Sequence, residues 1–415
     1  MRRKEADTME IIKGGVTAAK GFEAAAAAAG IKYENRTDMA LVYSVKPCKV
    51  AGTFTTNVVK AAPVKWDRQI VESKIKSQAV IINSGIANAC TGEEGMRCCL
   101  ETAKAAAEAL KIPADGVLVG STGVIGMQMP IEKLKKGIQI LAKEKQSGAV
   151  AANAAAKAIM TTDTKEKEVA VTVEIGGKIV TIGGMAKGSG MIHPNMCTML
   201  AFLTTDAVIS RKALKAALCA DVEETYNMIS VDGDTSTNDT VLLLANGMAE
   251  NPKIKEGTKE FELFAEALHE VNETLAKKMA GDGEGATALF EVTVKGADTK
   301  EQAKTLAKSV VCSNLTKAAI AGHDANWGRI LCAMGYSGAE FDPEKVDLYF
   351  KSSAGELKII ENGVALDYSE EKATEILSMP EVTAIADLGQ GEETATAWGC
   401  DLTHGYIDIN ADYRS

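Results

Sequence analysis

The residues with the most chemical promise lie together in Lys187-Gly188-Ser189-Gly190-Met191-Ile192-His193-Pro194-Asn195-Met196-Cys197-Thr198-Met199-Leu200. The stretch opens as a glycine-bearing loop with a lysine and closes on the apolar run Met199 to Leu203. Thr198 stands at the seam, where a loop would become a buried strand. A nucleophile needs fixed geometry and open access, and that seam offers both. The plainer alternative is a threonine that satisfies local hydrogen bonds at a strand start. A cut between Cys197 and Thr198 would give Thr198 a free α-amine. Such an amine has a pKa near ~8, suited to act as base for its own hydroxyl. His193 is a second candidate base, although it precedes Pro194 and stands five residues before Thr198.

Other loops carry less. Ser121-Thr122-Gly123-Val124-Ile125-Gly126 and the Lys187 loop lack the G-K-[ST] order of a phosphate loop, and no G-x-G-x-x-G follows the first strand. What remains is small residues, hydroxyls and backbone N–H groups, fit for a small polar substrate or an oxyanion, or simply for a turn. Asp232, Asp234 and Asp239 sit close in sequence, but the calcium-hand spacing with its final Glu is missing. They read as capping or solvated, so no metal is expected.

The elements that must hold these groups alternate. Asp38 to Val45 reads as a strand, Ala79-Val80-Ile81-Ile82 as a buried strand, and Glu93 to Leu110 as a helix. Val117-Leu118-Val119 is another short strand. Helices follow from Pro130 to Leu141 and from Val150 to Met160. Val169, Val171, Val173 and Ile175 alternate up to Gly176-Gly177, which predicts a hairpin leading into the Lys187 stretch. Phe261, Phe264, Leu268, Val271 and Leu275 share one helical face. Strands are expected at Leu289 to Val294 and near Leu348, Val382 and Tyr406. The last of these rests on Tyr406, Asp408 and Asn410 alternating with Ile407 and Ile409. The class is mixed α/β.

At 415 residues the chain is long for one core, so two lobes are expected, roughly 14–290 and 291–415. A composition of 46% hydrophobic and 25% charged residues describes a soluble protein. No apolar run reaches spanning length, which argues against a membrane helix. The net charge of −10 disfavours broad nucleic-acid binding. Nine scattered cysteines without C-x-x-C spacing argue against a disulfide framework or a zinc site and suit a reducing cytoplasm.

Lys187 to Leu200 resembles the self-cleavage signature of the ornithine acetyltransferase (glutamate N-acetyltransferase) family of arginine biosynthesis. Further words resemble family segments in the same order: Gly14 to Thr17, Phe54 to Asn57, Ala61 to Val64, Asn83-Ser84-Gly85, Asn88 to Gly92, Ser121 to Gly126, Thr161 to Thr164, Ser230 to Asp234, Asp324 to Ile330 and Asn410 to Tyr413. Cys197, Ile86 and Ala19 depart from the usual Ala, Asn and Pro.

The resemblance implies a two-lobed layered α/β sandwich of the ornithine acetyltransferase/L-aminopeptidase type, cleaved into an α chain, 1–197, and a β chain, 198–415. It implies Thr198 as self-cleaving residue and acetyl acceptor, with Cys197 before the cut. Thr122 and Gly123 would stabilise the oxyanion. Thr161 (or its neighbour Thr162), Lys187, Thr198, Glu284, Asn410 and Ser415 would bind substrate. The implied reaction moves acetyl from N2-acetylornithine to glutamate without a cofactor, with acetyl-CoA left open as a second donor. The implied assembly is a heterotetramer of two α and two β chains. The alternative is an N-terminal-nucleophile aminopeptidase of related fold, passing the acyl group to water.

Overall fold

The computed structural model describes residues 9–193 and 199–412. Pro194 to Thr198 and Tyr413 to Ser415 lie outside the described residues, and with them Cys197, Thr198 and Ser415. The chain forms two compact units. The first comprises Met1–Gly188, Asn195–Glu223 and Thr235–Leu275; the second comprises Ser189–Pro194, Glu224–Asp234 and Ala276–Ser415.

Among its described residues the first unit holds nine strands: β1 (Glu10–Ile12), β2 (Phe22–Ala27), β3 (Met39–Phe54), β4 (Ser77–Asn83), β5 (Val117–Ser121), β6 (Lys167–Ile175), β7 (Lys178–Lys187), β8 (Leu200–Thr205) and β9 (Thr240–Ala245). Their order is β1-β6-β7-β8-β9-β3-β4-β5, with β2 paired to β3. Folded structure therefore begins before Gly14, because β1 pairs antiparallel with β6.

The long strand β3 serves two neighbourhoods. Met39 to Ser44 pairs with β2, and Lys49 to Phe54 pairs with β9. The register with β4 shifts between Tyr43 and Cys48, around exposed Lys46 and Pro47. Proline has no N–H to give a ladder, so a break falls there naturally.

The β2–β5 region is buried on both faces, which is why Ala79 to Ile82 reads as a continuous apolar run. Ala24, Val42, Val80 and Leu118 lie in a core shared with Phe202 and Leu242. Ala25, Leu41, Ala79 and Val117 lie in another, against Ala103, Ala106, Leu134 and Ile138. Alanine favours helices, yet Ala24–Ala27 is strand. The small side chains let helix Ala149–Ala158 pack close, with Ala151, Ala152, Ala155 and Ala156 in the same core.

The β6–β7 hairpin forms as expected. Ile175 faces Lys178, and Gly176 and Gly177 have φ of +60° and +75°, the conformation a two-residue turn of this hand requires. On helix Lys259–Gly281, Phe264, Leu268, Val271 and Leu275 are all buried. A Cβ on Gly184 of β7 would meet Leu203, Leu275 and Val271 within 3.3 Å, so the helix packs directly on that glycine.

The second unit carries β10 (Leu289–Ala297), β11 (Asp347–Ser352), β12 (Gly355–Glu361), β13 (Val364–Ala365), β14 (Glu381–Asp387) and β15 (Glu393–Cys400), ordered β13-β12-β11-β14-β10-β15. Only the β10–β14 pair is parallel among them. Helix Lys300–Cys312, capped by the Thr299 side chain, buries Ala303, Leu306, Val310 and Val311. The strand expected near Tyr406 is instead helix His404–Ala411. The Thr403 hydroxyl accepts from Gly405 N–H at 3.1 Å and caps it. The apolar alternation there does not report burial, since Ile407 is 63% and Ile409 37% exposed.

Candidate functional site

In the first unit the chemistry gathers at the end of β5. The Thr122 N–H donates to the Asn83 carbonyl at 3.0 Å, so its amide is occupied. Its hydroxyl is differently placed. Lys187 Nζ, from the end of β7, donates to Thr122 Oγ1 at 3.3 Å. An oxygen accepting from an ammonium turns its own proton elsewhere, so the hydroxyl is set to donate. Next in sequence, the Gly123 N–H has no backbone acceptor among the described residues. A hydroxyl and an adjacent amide can together hold a developing oxyanion.

Gly123 could be no other residue. Its φ is +130°, and a Cβ would lie 2.2 Å from the Gly85 carbonyl carbon. Val124 N–H donates to Gly85 O and Ala87 N–H to Val124 O, so the 83–92 and 121–126 loops are laced together. Ile86, one of the departures from the family pattern, is 2% exposed and packs in the core with Ala103 and Ile138. Its side chain is a core element.

Asp163 organises the lysine. It accepts from Lys167 Nζ at 2.7 Å, Gly188 N–H at 2.7 Å and Thr161 N–H at 3.0 Å. Burial alone would raise its pKa, but the charges of Lys187 and Lys167 and these hydrogen bonds bring it down to about 2. The group is an anion that fixes Thr161 and the Lys187–Gly188 turn. Asp239 behaves oppositely. It is fully buried, which removes the solvated alternative for this loop residue and leaves the capping one. Desolvation holds its carboxyl well above the usual range, against hydrogen bonds from Ser236 and Thr55 and the Lys187 charge.

In the second unit, Asn410 Nδ2 donates to Glu284 Oε2 at 2.7 Å. Glu284 is 7% exposed, and its N–H donates to Ser189 O at 2.8 Å. A Cβ on Gly190 would stand 2.2 Å from its carboxylate, so a glycine makes room for that acid. Tyr406 lies one turn before Asn410 on helix His404–Ala411, and its hydroxyl donates to Asp232 at 3.2 Å. Asp232 also accepts from Met191 N–H at 2.6 Å and Ile192 N–H at 2.8 Å. It caps a backbone turn. Burial, reinforced by the Lys308 charge, lowers the His193 pKa to about 4. Its Nδ1 lies 3.1 Å from Ser230 Oγ and 3.4 Å from Cys312 Sγ, so the ring is engaged within its own unit.

The sequence profile of the ArgJ family matches residues 23–415. The arginine biosynthesis bifunctional protein ArgJ of Caldanaerobacter subterraneus subsp. tengcongensis is 53% identical over 409 residues, covering 98% of this chain and all of that protein. The chain belongs to the ArgJ family. The ArgJ protein of Thermotoga neapolitana is 51% identical over 397 residues, covering 95% of this chain and 99% of its own. Among solved structures, an ArgJ chain from Bacillus halodurans is 46% identical with a TM-score of 0.49, matched over 52% of this chain and 99% of its own. ArgJ membership meets the expectation of an arginine-biosynthesis acetyltransferase raised by the Lys187 to Leu200 signature.

Within this ArgJ chain the structure brings Thr122, Gly123, Thr161 and Lys187 into the first unit, and Glu284 and Asn410 together in the second. Asn83, Asp163 and Asn238, which hold them, were given no role from sequence, whereas Asp232, read there as capping or solvated, caps the Met191–Ile192 turn. Asp163 stands inside the family word Thr161-Thr162-Asp163-Thr164, and that was its only signal.

Proposed function

We propose that this chain transfers the acetyl group of N2-acetylornithine to glutamate through an acetyl ester on Thr198. The observation that carries the reading is the near full-length family match, which includes the Lys187 to Leu200 signature. The peptide bond between Cys197 and Thr198 is cut by the Thr198 hydroxyl attacking the Cys197 carbonyl. Hydrolysis of that ester leaves chains 1–197 and 198–415, with a free Thr198 α-amine. The amine then takes the hydroxyl proton as Thr198 attacks the acetyl carbonyl.

The Thr122 hydroxyl and Gly123 N–H donate to the carbonyl oxygen as it becomes an anion. One such donor is worth about 3 kcal/mol, and only in the transition state. Collapse expels ornithine as the amine. The glutamate α-amine attacks the threonine ester and regenerates the enzyme. Lys187 is suited to a substrate carboxylate and Glu284 to an ammonium, with Thr161, Asn410 and Ser415 adding hydrogen bonds.

No cofactor enters this scheme, acetyl-CoA can supply a second route to the acetyl-threonine, and the working assembly is two α and two β chains in the cytoplasm. The hydrolytic aminopeptidase reading has no observation in its favour. The test is a product assay with labelled N2-acetylornithine. Label appearing in N-acetylglutamate supports transfer, and label appearing only as acetate contradicts it.

A further inference from the structure

We infer that Asn238 is the positioning residue that sets the aim of the oxyanion loop, by clamping the Ser121 carbonyl to the strand pair that follows Thr198. The inference rests on the acetyl-transfer reading above, to which it adds a residue outside the substrate-binding and oxyanion set.

Asn238 is 8% exposed, and every polar atom of its side chain is engaged. Nδ2 donates to Ser121 O at 2.8 Å and to Ala87 O at 2.6 Å. Oδ1 accepts from the Thr237 hydroxyl at 2.7 Å, which fixes which way round the carboxamide lies. The Ser121–Thr122 peptide is therefore held from both sides, its carbonyl by Asn238 and its N–H by Asn83 O. With that plane held, the N–Cα bond of Thr122 has a fixed position and direction, and the loop is held again two residues on by Val124 N–H donating to Gly85 O. The Thr122 hydroxyl and the Gly123 N–H both extend from the stretch between these two restraints.

Asn238 is also tied to the other side of the reaction. It stands two residues before Thr240, which begins β9 and faces Leu200 in the parallel β8–β9 pair. Thr240 N–H donates to Met199 O at 2.9 Å, and Met199 directly follows Thr198 in the chain. One side chain thus fixes the spacing between the loop bearing the oxyanion donors and the strand that continues from the nucleophile. A buried asparagine bridging two loop carbonyls could serve stability alone. The two roles predict different measurements.

Asn238→Ala removes the clamp. Asn238→Asp keeps the shape but sets a carboxylate oxygen against two carbonyls. A misplacement of about 1 Å costs on the order of 100-fold in rate. We expect kcat for acetyl transfer to fall about 10- to 100-fold in both variants, with KM changed less than about threefold. Amide hydrogen exchange should quicken in residues 119–126 and around Ala87, whose carbonyl the same amide holds, and stay at the wild-type rate elsewhere in the first unit. Thr237→Val, which frees only the far end of the carboxamide, should shift both readouts the same way by a smaller factor. It serves as the test if the Asn238 variants do not accumulate folded.

A folded variant with wild-type kcat and wild-type exchange at 119–126 overturns the proposal. So does a rise in KM together with faster exchange throughout the unit, which would mark a residue of general stability. If the wild-type protein itself transfers no acetyl group, the acyl-transfer reading fails. The exchange measurement still decides whether Asn238 fixes the loop.

Discussion

At Thr122 the amide is spent on Asn83 and the hydroxyl is turned outward by Lys187, so side chain and backbone have separate tasks. Thr122→Val should therefore lower kcat about 100-fold with little change in KM, while Thr122→Ser stays near wild type. Steady-state kinetics on both variants checks this, and equal losses would mean the hydroxyl is not the donor. Gly123→Ala is a poor probe of the same chemistry. Its Cβ would strike the Gly85 backbone, so loss of folding would mask any effect on turnover. Lys187→Met should cost about 1.5–3 kcal/mol in kcat/KM for substrates with a free carboxylate. An amide analogue of N2-acetylornithine that shows the same loss would remove Lys187 from carboxylate binding. Thr122, Gly123 and Lys187 were named from the sequence through the family words in which they stand, and the structure brings the Thr122 hydroxyl and Lys187 within hydrogen-bond reach. Asp163 and Asn238 were given no role there. Asp and Asn in loops most often make turns, and only the fold shows which lysines and carbonyls they meet.

Among the elements, the turn joining β7 to the Lys187 loop depends on Asp163, whose carboxyl is held at about 2 rather than 3.8. The sign follows directly. A depressed carboxyl pKa gives stability that is fully present above about pH 4 and is lost as pH falls through about 2. Asp163→Asn takes a carboxylate from beside the Lys167 ammonium, which is 1% exposed. It should cost about 3–5 kcal/mol at neutral pH. Urea unfolding at several pH values should show the gap between wild type and variant narrowing below pH 4. A gap independent of pH would contradict the ion pair. The strands and helices that bury apolar faces were legible because their periodicities are physical consequences of that burial. Helix His404–Ala411 was misread for the converse reason: it buries no side chain, so its alternation carried no information, and the informative residue was the cap Thr403. The helix places Tyr406 and Asn410 one turn apart. Asn410→Ala should weaken acetyl transfer through its lost bond to Glu284 while leaving self-cleavage intact, read by kinetics and a denaturing gel. Loss of cleavage in that variant would show that the helix supports folding instead.

For the whole molecule, the claim is that one gene product becomes two chains whose new terminus is the catalyst. Thr198→Ala should run as a single full-length band, since no hydroxyl remains to attack the Cys197 carbonyl. In the sequence, only the Lys187 to Leu200 signature points to such a cut. Composition and charge add only a net charge of −10, which disfavours broad nucleic-acid binding, and no helix among the described residues is long and apolar enough to cross a membrane. The most direct test is intact-mass spectrometry of the purified protein after incubation with N2-acetylornithine and rapid acid quench. The account predicts two fragments, the second beginning at Thr198 and carrying one acetyl group that glutamate removes. An uncleaved chain that transfers acetyl normally, or an acetyl group on any residue but Thr198, would contradict it.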